Sequence, residues 1–213
     1  SGTKLVGFDA SGLELRMLAH YMDDKEFTNV LLREDVHTRN QMAAGLADRD
    51  QTKTFIYAFL YGAGDAKIGT IVGGSARDGA RLKERFLGNT PALESLRERV
   101  VRASGRGYIR GLDGRRLHVR SGHAALNALL QAAGAVVMKK ALVILDKYAK
   151  EWELDYKFIG NVHDEVQTEV REAHADKFGW LGVECLKAAG IEFGLRCPLD
   201  GEYKIGTTWA ETH

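Results

Sequence analysis

Apolar residues crowd into residues 4–10, where Leu5, Val6, Phe8 and Ala10 read as a short strand that ends in Asp9 and Ala10. Gly12 turns the chain into residues 13–22, whose Leu15, Leu18, Ala19 and Met22 recur at helical spacing. The pattern predicts further helices over residues 35–44 and from Asp48 to Tyr61, the second stopped by Gly62 and Gly64. A glycine-dotted connector, residues 62–74, reads as a loop or short helix and precedes helices over 77–86 and 91–103 joined by Gly88-Asn89-Thr90. Residues 106–120 read as a polar hairpin centred on Leu112-Asp113-Gly114. The stretch 124–152, rich in Ala and Leu, reads as a long buried helix. Strands over 156–161 and 165–170 then flank Val162-His163-Asp164, followed by an amphipathic helix over 173–189 and a strand over 202–208. No internal repeat or low-complexity run interrupts this order. The fold class is α+β: a small antiparallel sheet backed by helices, with a helical lobe inserted between its first strand and its hairpin.

Composition narrows the picture. A chain of 213 residues, 45% hydrophobic, buries one core, or one core and a smaller satellite lobe. Lys+Arg 30 against Asp+Glu 29 leave a net charge of +1, so the total announces no polyanionic ligand, but the distribution is uneven. Between residues 97 and 120 stand eight arginines against two acids, Glu98 and Asp113. Such a stretch grips phosphates, or else forms a solvated helix face and a basic loop. Cys185 and Cys197 are too few and too unpatterned for a disulfide framework or a zinc site, which suits a reducing, cytoplasmic setting. No apolar run approaching a membrane span and no export signal stand out, so no membrane partner is expected. The chain runs from Ser-Gly-Thr straight into its first strand, as an expression scar or a chain cut from something larger would.

Chemistry enters with Asp9 and Asp164, far apart in sequence but each at the end of a strand in what reads as one sheet. An isolated aspartate there ordinarily just terminates its strand. Two on neighbouring strands repel and raise each other's pKa unless cations fill the space. Mg²⁺ suits such a pair because it takes oxygen ligands and keeps positions for water and phosphates. In the helix that follows Asp48, Arg49, Lys53 and Tyr57 lie four apart on one face with Tyr61 at its edge, while Phe55, Ile56, Phe59 and Leu60 take the other side. A triphosphate along that face would relieve the repulsion between the two cations, although many solvent-facing helices carry the same stripe.

These residues also resemble a known family. Asp9-Ala10-Ser11-Gly12-Leu13-Glu14-Leu15-Arg16 is similar to the first palm motif of family A (polymerase I-like) DNA polymerases. Arg49 to Gly62 resembles their fingers-helix motif, and Val162-His163-Asp164-Glu165 their second palm motif. The three occur in the family's order, and the wording of the whole chain looks most like the replicative DNA polymerases of short-tailed phages.

The resemblance implies a palm over residues 1–34 and 111–213, with a fingers lobe over 35–110. It implies two Mg²⁺ ions (or Mn²⁺) held by Asp9, Asp164 and the Ala10 carbonyl, with primer-template DNA and dNTPs as partners. Glu14 would exclude a ribose 2′-hydroxyl; His37, Arg49 and Lys53 would hold the triphosphate, Lys53 at the reacting centre; Tyr57 would pack on the sugar. Tyr61 and Gly62 would meet the template base, and Arg115 and Arg116 the primer-template backbone. Asn127 and Gln131 would read minor-groove acceptors, although on an Ala-rich helix such a pair also serves to cap a buried polar patch. His163 and Glu165 would support primer and metal site.

Family members carry a thumb and an exonuclease-like domain upstream. The resemblance therefore implies an excised fragment or one half of a split polymerase, partnered by an upstream thumb or exonuclease polypeptide. Three other readings compete: a noncatalytic nucleic-acid-binding or complementing module, a single-subunit RNA polymerase relative, against which Glu14 argues, and a metal nuclease, which lacks a further clustered acid set.

Overall fold

The computed structural model of the chain describes residues 2–33 and 36–213, and for residues 36–38 the backbone only. The expected triphosphate contact of His37 lies outside the described residues. In chain order the elements are β1 (Thr3–Ala10), α1 (Leu13–Met22), α2 (Lys25–Arg33), α3 (Val36–Ala44), α4 (Arg49–Leu60), α5 (Asp65–Ile71), α6 (Ala76–Gly88), α7 (Pro91–Ser104), β2 (Tyr108–Arg110), β3 (Arg116–His118), α8 (Gly122–Glu151), β4 (Tyr156–Val162), β5 (Glu165–Arg171), α9 (Ala175–Glu192), β6 (Gly201–Gly206) and α10 (Trp209–Thr212). The α+β expectation holds, with two helices that were not among those expected, α2 and α10. Two compact units form: residues 1–17 with 133–213, and residues 18–132. Residues 18–34 and 111–132, which the resemblance placed in the palm, group with the second unit.

The first unit is built on an antiparallel sheet in the order β4-β5-β1-β6. Strand alternation sends Val6, Phe8 and Ala10 of β1 to one face, where they are buried together with Val166 and Thr168 of β5. α9 covers that face at close range. A Cβ on Gly182 would stand 2.8 Å from the Phe8 ring, so a residue with no side chain lets the helix backbone approach. The second half of α8 joins this unit through Asp146, whose carboxylate accepts from the Tyr156 hydroxyl at 2.6 Å, and just past its end Trp152 stacks on Trp180 of α9 with rings 6.3 Å apart and 10° from parallel.

The second unit is helical. Phe55 and Phe59 of α4 meet Phe86 of α6 edge-on, with centroids 5.3 and 5.6 Å away. Asp48 caps α4 by accepting from the Asp50 amide, and Ser75 with Asp78 forms a reciprocal capping box that starts α6. α8 corrects one expectation drawn from the sequence. By length and composition it is apolar enough to cross a membrane, yet half of its most apolar stretch is buried inside the protein. Its buried positions, among them Ala125, Leu129, Ala133, Val137 and Leu145, run along it at helical spacing, as in a core helix.

Candidate active site

Asp9 lies near the end of β1 on the face opposite α9, and backbone register supplies its neighbours. It pairs with Glu165 on β5 and with Glu202 on β6, so a carboxylate stands on either side. Asp164 occupies the second position of the two-residue turn between β4 and β5. His163 takes the first with a φ of +58°, the sign a type II′ hairpin needs there. The Ala10 amide donates to the Asp164 carbonyl at 3.0 Å, which ties the turn to the end of β1 and sets the two aspartates beside each other. Arg16 fastens the chain just beyond, donating to the carbonyls of Ser11 at 2.8 Å and Pro198 at 2.5 Å.

The electrostatic consequence is a strained acid. Partial burial, and then the charges of Asp164, Glu202 and Glu165, push the Asp9 carboxyl above its ordinary pKa, with Lys204 pulling the other way. Glu165 behaves differently. Burial works to raise its pKa, but hydrogen bonds from Gln167 at 2.6 Å, His213 at 2.5 Å and Trp209 at 2.7 Å bring it below the usual range. Both Glu165 oxygens are thereby committed, which makes it a braced group beside the pair. Gln167 is held in turn by the Thr212 hydroxyl at 2.9 Å, so α10 exists here to fix this network.

The donor chemistry fits a hard divalent cation. Asp9 stands among like-charged carboxylates, and the nearby oxygens are those of Asp164, Glu165, Glu202 and the Asp164 carbonyl. Among the described residues no group of three or more His, Cys, Asp or Glu side chains is arranged to hold a metal ion.

The remaining candidates group within their units. On α4, Arg49 and Lys53 are exposed and Tyr57 is half-buried, while Phe55, Ile56, Phe59 and Leu60 are buried, so the cations and the anchor take opposite sides of the helix. Tyr61 caps that helix, 47% exposed, and Gly62 follows with a φ of +76° that favours glycine. A cleft of about 330 Å³ opens beside Gly62, lined also by Asp65, Lys83, Arg97 and His123. Arg115 and Arg116 are exposed on the β2–β3 hairpin, where Arg115 is paired with Asp113 at 2.5 Å. Asn127, half-buried, and Gln131, exposed, lie one turn apart on α8; Glu14 sits half-buried in the first turn of α1. Sequence reasoning did not single out Glu202, Arg16, or the Gln167, Trp209 and His213 brace. The position of Glu202 at the start of a strand was the available signal, and the brace had none.

The sheet, its covering helix and the helical second unit together form the fold of a polymerase domain. The solved structure described as "POL domain of Pol1 from M. smegmatis complex with DNA primer-template and dNTP" matches 97% of this chain and 40% of that one, with a TM-score of 0.85 and 24% identity. The sequence model of DNA polymerase family A matches residues 1–211, and the chain belongs to that family. It is 45% identical to the DNA-directed DNA polymerases of Enterobacteria phage T3 and Escherichia phage T7, in each case over 98% of this chain. It spans 33% of the length of those two relatives. DNA polymerase I of Pseudomonas aeruginosa is 27% identical, over 100% of this chain and 25% of that protein.

Proposed function

We propose that this chain carries the catalytic palm and the fingers of a template-directed DNA polymerase, adding dNTPs to a primer 3′-hydroxyl. The observation that carries the reading is the Ala10–Asp164 backbone bond beside the β1–β5 register, which brings Asp9 and Asp164 together, with burial and then the Asp164 charge raising the Asp9 pKa. The family and the phage relatives, named DNA-directed DNA polymerases, supply the reaction class. Residues 1–34 and 111–213 serve as palm and residues 35–110 as fingers.

In this reading Asp9, Asp164 and the Ala10 carbonyl would hold two Mg²⁺ ions, whose chemistry is to acidify the primer hydroxyl and neutralise the leaving pyrophosphate. The protein supplies position. Arg49 and Lys53 hold the triphosphate along α4 with Tyr57 against the sugar, while Glu14 fills the space of a 2′-hydroxyl. Tyr61 and Gly62 meet the template base, Arg115 and Arg116 grip the duplex backbone, and Asn127 and Gln131 donate to minor-groove acceptors. His163 borders the primer end, and the braced Glu165 keeps the Asp9 strand and the Asp164 turn in register. The hydroxyl then attacks the α-phosphorus in line as the bond to pyrophosphate breaks.

Primer extension in Mg²⁺ tests this. Asp164→Ala should lower the rate on the order of a thousandfold, the equivalent of several kcal/mol of lost transition-state stabilisation. Undiminished extension by that variant would overturn the proposal, and a preference for ribonucleotides would overturn the DNA assignment. Extension by the 213-residue chain should be weak and distributive. Adding a polypeptide from the part of the phage relatives outside the match should strengthen it.

A further inference from the structure

The β2–β3 hairpin presents more chemistry than Arg115 and Arg116 alone. Alternation turns Ile109 inward, 3% exposed, with Leu117 opposite it. Tyr108, Arg110, Arg116 and His118 take the outward face, Tyr108 opposite His118 and Arg110 opposite Arg116. Two guanidinium groups close on one ring there: the Arg116 Cζ lies 4.7 Å from the Tyr108 centroid and the Arg106 Cζ 5.3 Å.

These two arginines stand apart from their neighbours. Among the described residues neither Arg106 nor Arg116 has a carboxylate partner, Asp113 being tied to Arg115, while Arg110 is turned onto the Gly114 carbonyl at 3.0 Å. Arg106 makes one long bond, 3.4 Å, to the Ala103 carbonyl. A ring fixed on a hairpin anchored on its other face by the buried Ile109 therefore holds two unneutralised cations near each other. Repulsion between them is relieved by an anion that accepts from both, and stacked guanidinium planes keep their edges free for phosphate oxygens.

We propose that Tyr108 is a positioning residue that presents Arg106 and Arg116 as one paired phosphate-binding site for the backbone of a primer-template duplex. The identity of the polyanion rests on the polymerase reading. Arg116 is thereby more than a loose contact: its reach is set by the ring beneath it, and Arg106 joins the duplex interface through the same ring.

The test is the salt dependence of duplex binding, followed by fluorescence anisotropy of a labelled primer-template between about 50 and 200 mM salt. Tyr108→Leu should make the slope of log affinity against log salt shallower by about 1 to 2, at roughly 0.9 for each phosphate no longer neutralised. The Arg106→Gln/Arg116→Gln double variant should do the same, and adding Tyr108→Leu to it should cost nothing further. Tyr108→Phe, which keeps the ring, should retain the original slope. An unchanged slope in Tyr108→Leu, an equal loss in Tyr108→Phe, or no duplex binding by the unaltered chain would each overturn the proposal. If Tyr108→Leu fails to fold, the two single arginine variants decide, because each must flatten the slope by about 1. Binding slopes and the Asp164→Ala extension rate are separate readouts, so this site and the polymerase reading fail independently.

Discussion

Tyr156 joins two elements through one hydroxyl. It donates at 2.6 Å to Asp146, which also accepts from Lys150 at 2.7 Å, and the Lys150 and Tyr156 bonds hold the Asp146 carboxyl below its ordinary pKa of 3.8. A depressed folded-state pKa makes this contribution complete above 3.8 and lost as pH falls through and beneath that value. Asp146 is 40% exposed on its side chain, so solvent screening limits the tie to about 1 kcal/mol. Tyr156→Phe should therefore lose about that much in urea unfolding at pH 7, with a smaller loss at pH 3. An equal loss at both pH values would refute the assignment to Asp146. The cysteines give a second readout at this scale. Burial, and then the Glu184 charge, pushes the Cys185 thiol up to about 12, and burial raises Cys197 against the pull of Arg16. Both are buried and unpaired, so at pH 8 a maleimide should label neither in the folded protein and both after denaturation, as read by mass spectrometry. Labelling of the folded chain at either site would contradict this. The closeness of Asp9 and Asp164 could be anticipated, because one lies next to the end of a strand and the other in a hairpin turn of what reads as the same sheet. The Glu165 brace could not, since Gln167, Trp209 and His213 converge only through register and a short helix that no pattern announces.

At the scale of elements, α4 shows what periodicity conveys well. Its apolar and cationic residues divide by face, and the burial of Phe55, Ile56, Phe59 and Leu60 follows the 3.6-residue period. What they pack against could not be read in advance, because the Phe86 partner belongs to another helix. Phe86→Ala should cost about 3–5 kcal/mol in chemical denaturation, since it empties a site walled by two other rings. A loss under about 1 kcal/mol would show that the helices close the gap freely. α2 escaped notice for a physical reason: Thr28, Asn29 and Val30 are weak helix formers, and the start is set by Asp24 accepting from the amides of Glu26 and Phe27. β4 carried a different surprise, a register shift between Phe158 and Gly160 that strand alternation does not foretell.

For the whole molecule, the sequence order of strand, helices, hairpin, helix and strand was enough for the fold class and, through three motifs, for the family. Strand order was not, because nothing local decides that β1 should lie between β5 and β6. The point at which the two compact units divide is not readable from the sequence. The second unit begins within α1 and ends within α8, inside continuous helices that offer no linker or composition change to mark a boundary.

Placing β1 between two strands that come late in the chain has a cost in time during synthesis. Its register partners are Thr3 to Asp9 against residues 165–171 and Leu5 to Ala10 against residues 201–206. On a ribosome moving at about 5–20 residues per second, this apolar segment waits on the order of 10–30 s for the first of them. The helical second unit emerges within that interval and can condense on its own short-range contacts, so the nascent chain carries both an unpaired strand and a helical body until β5 is made.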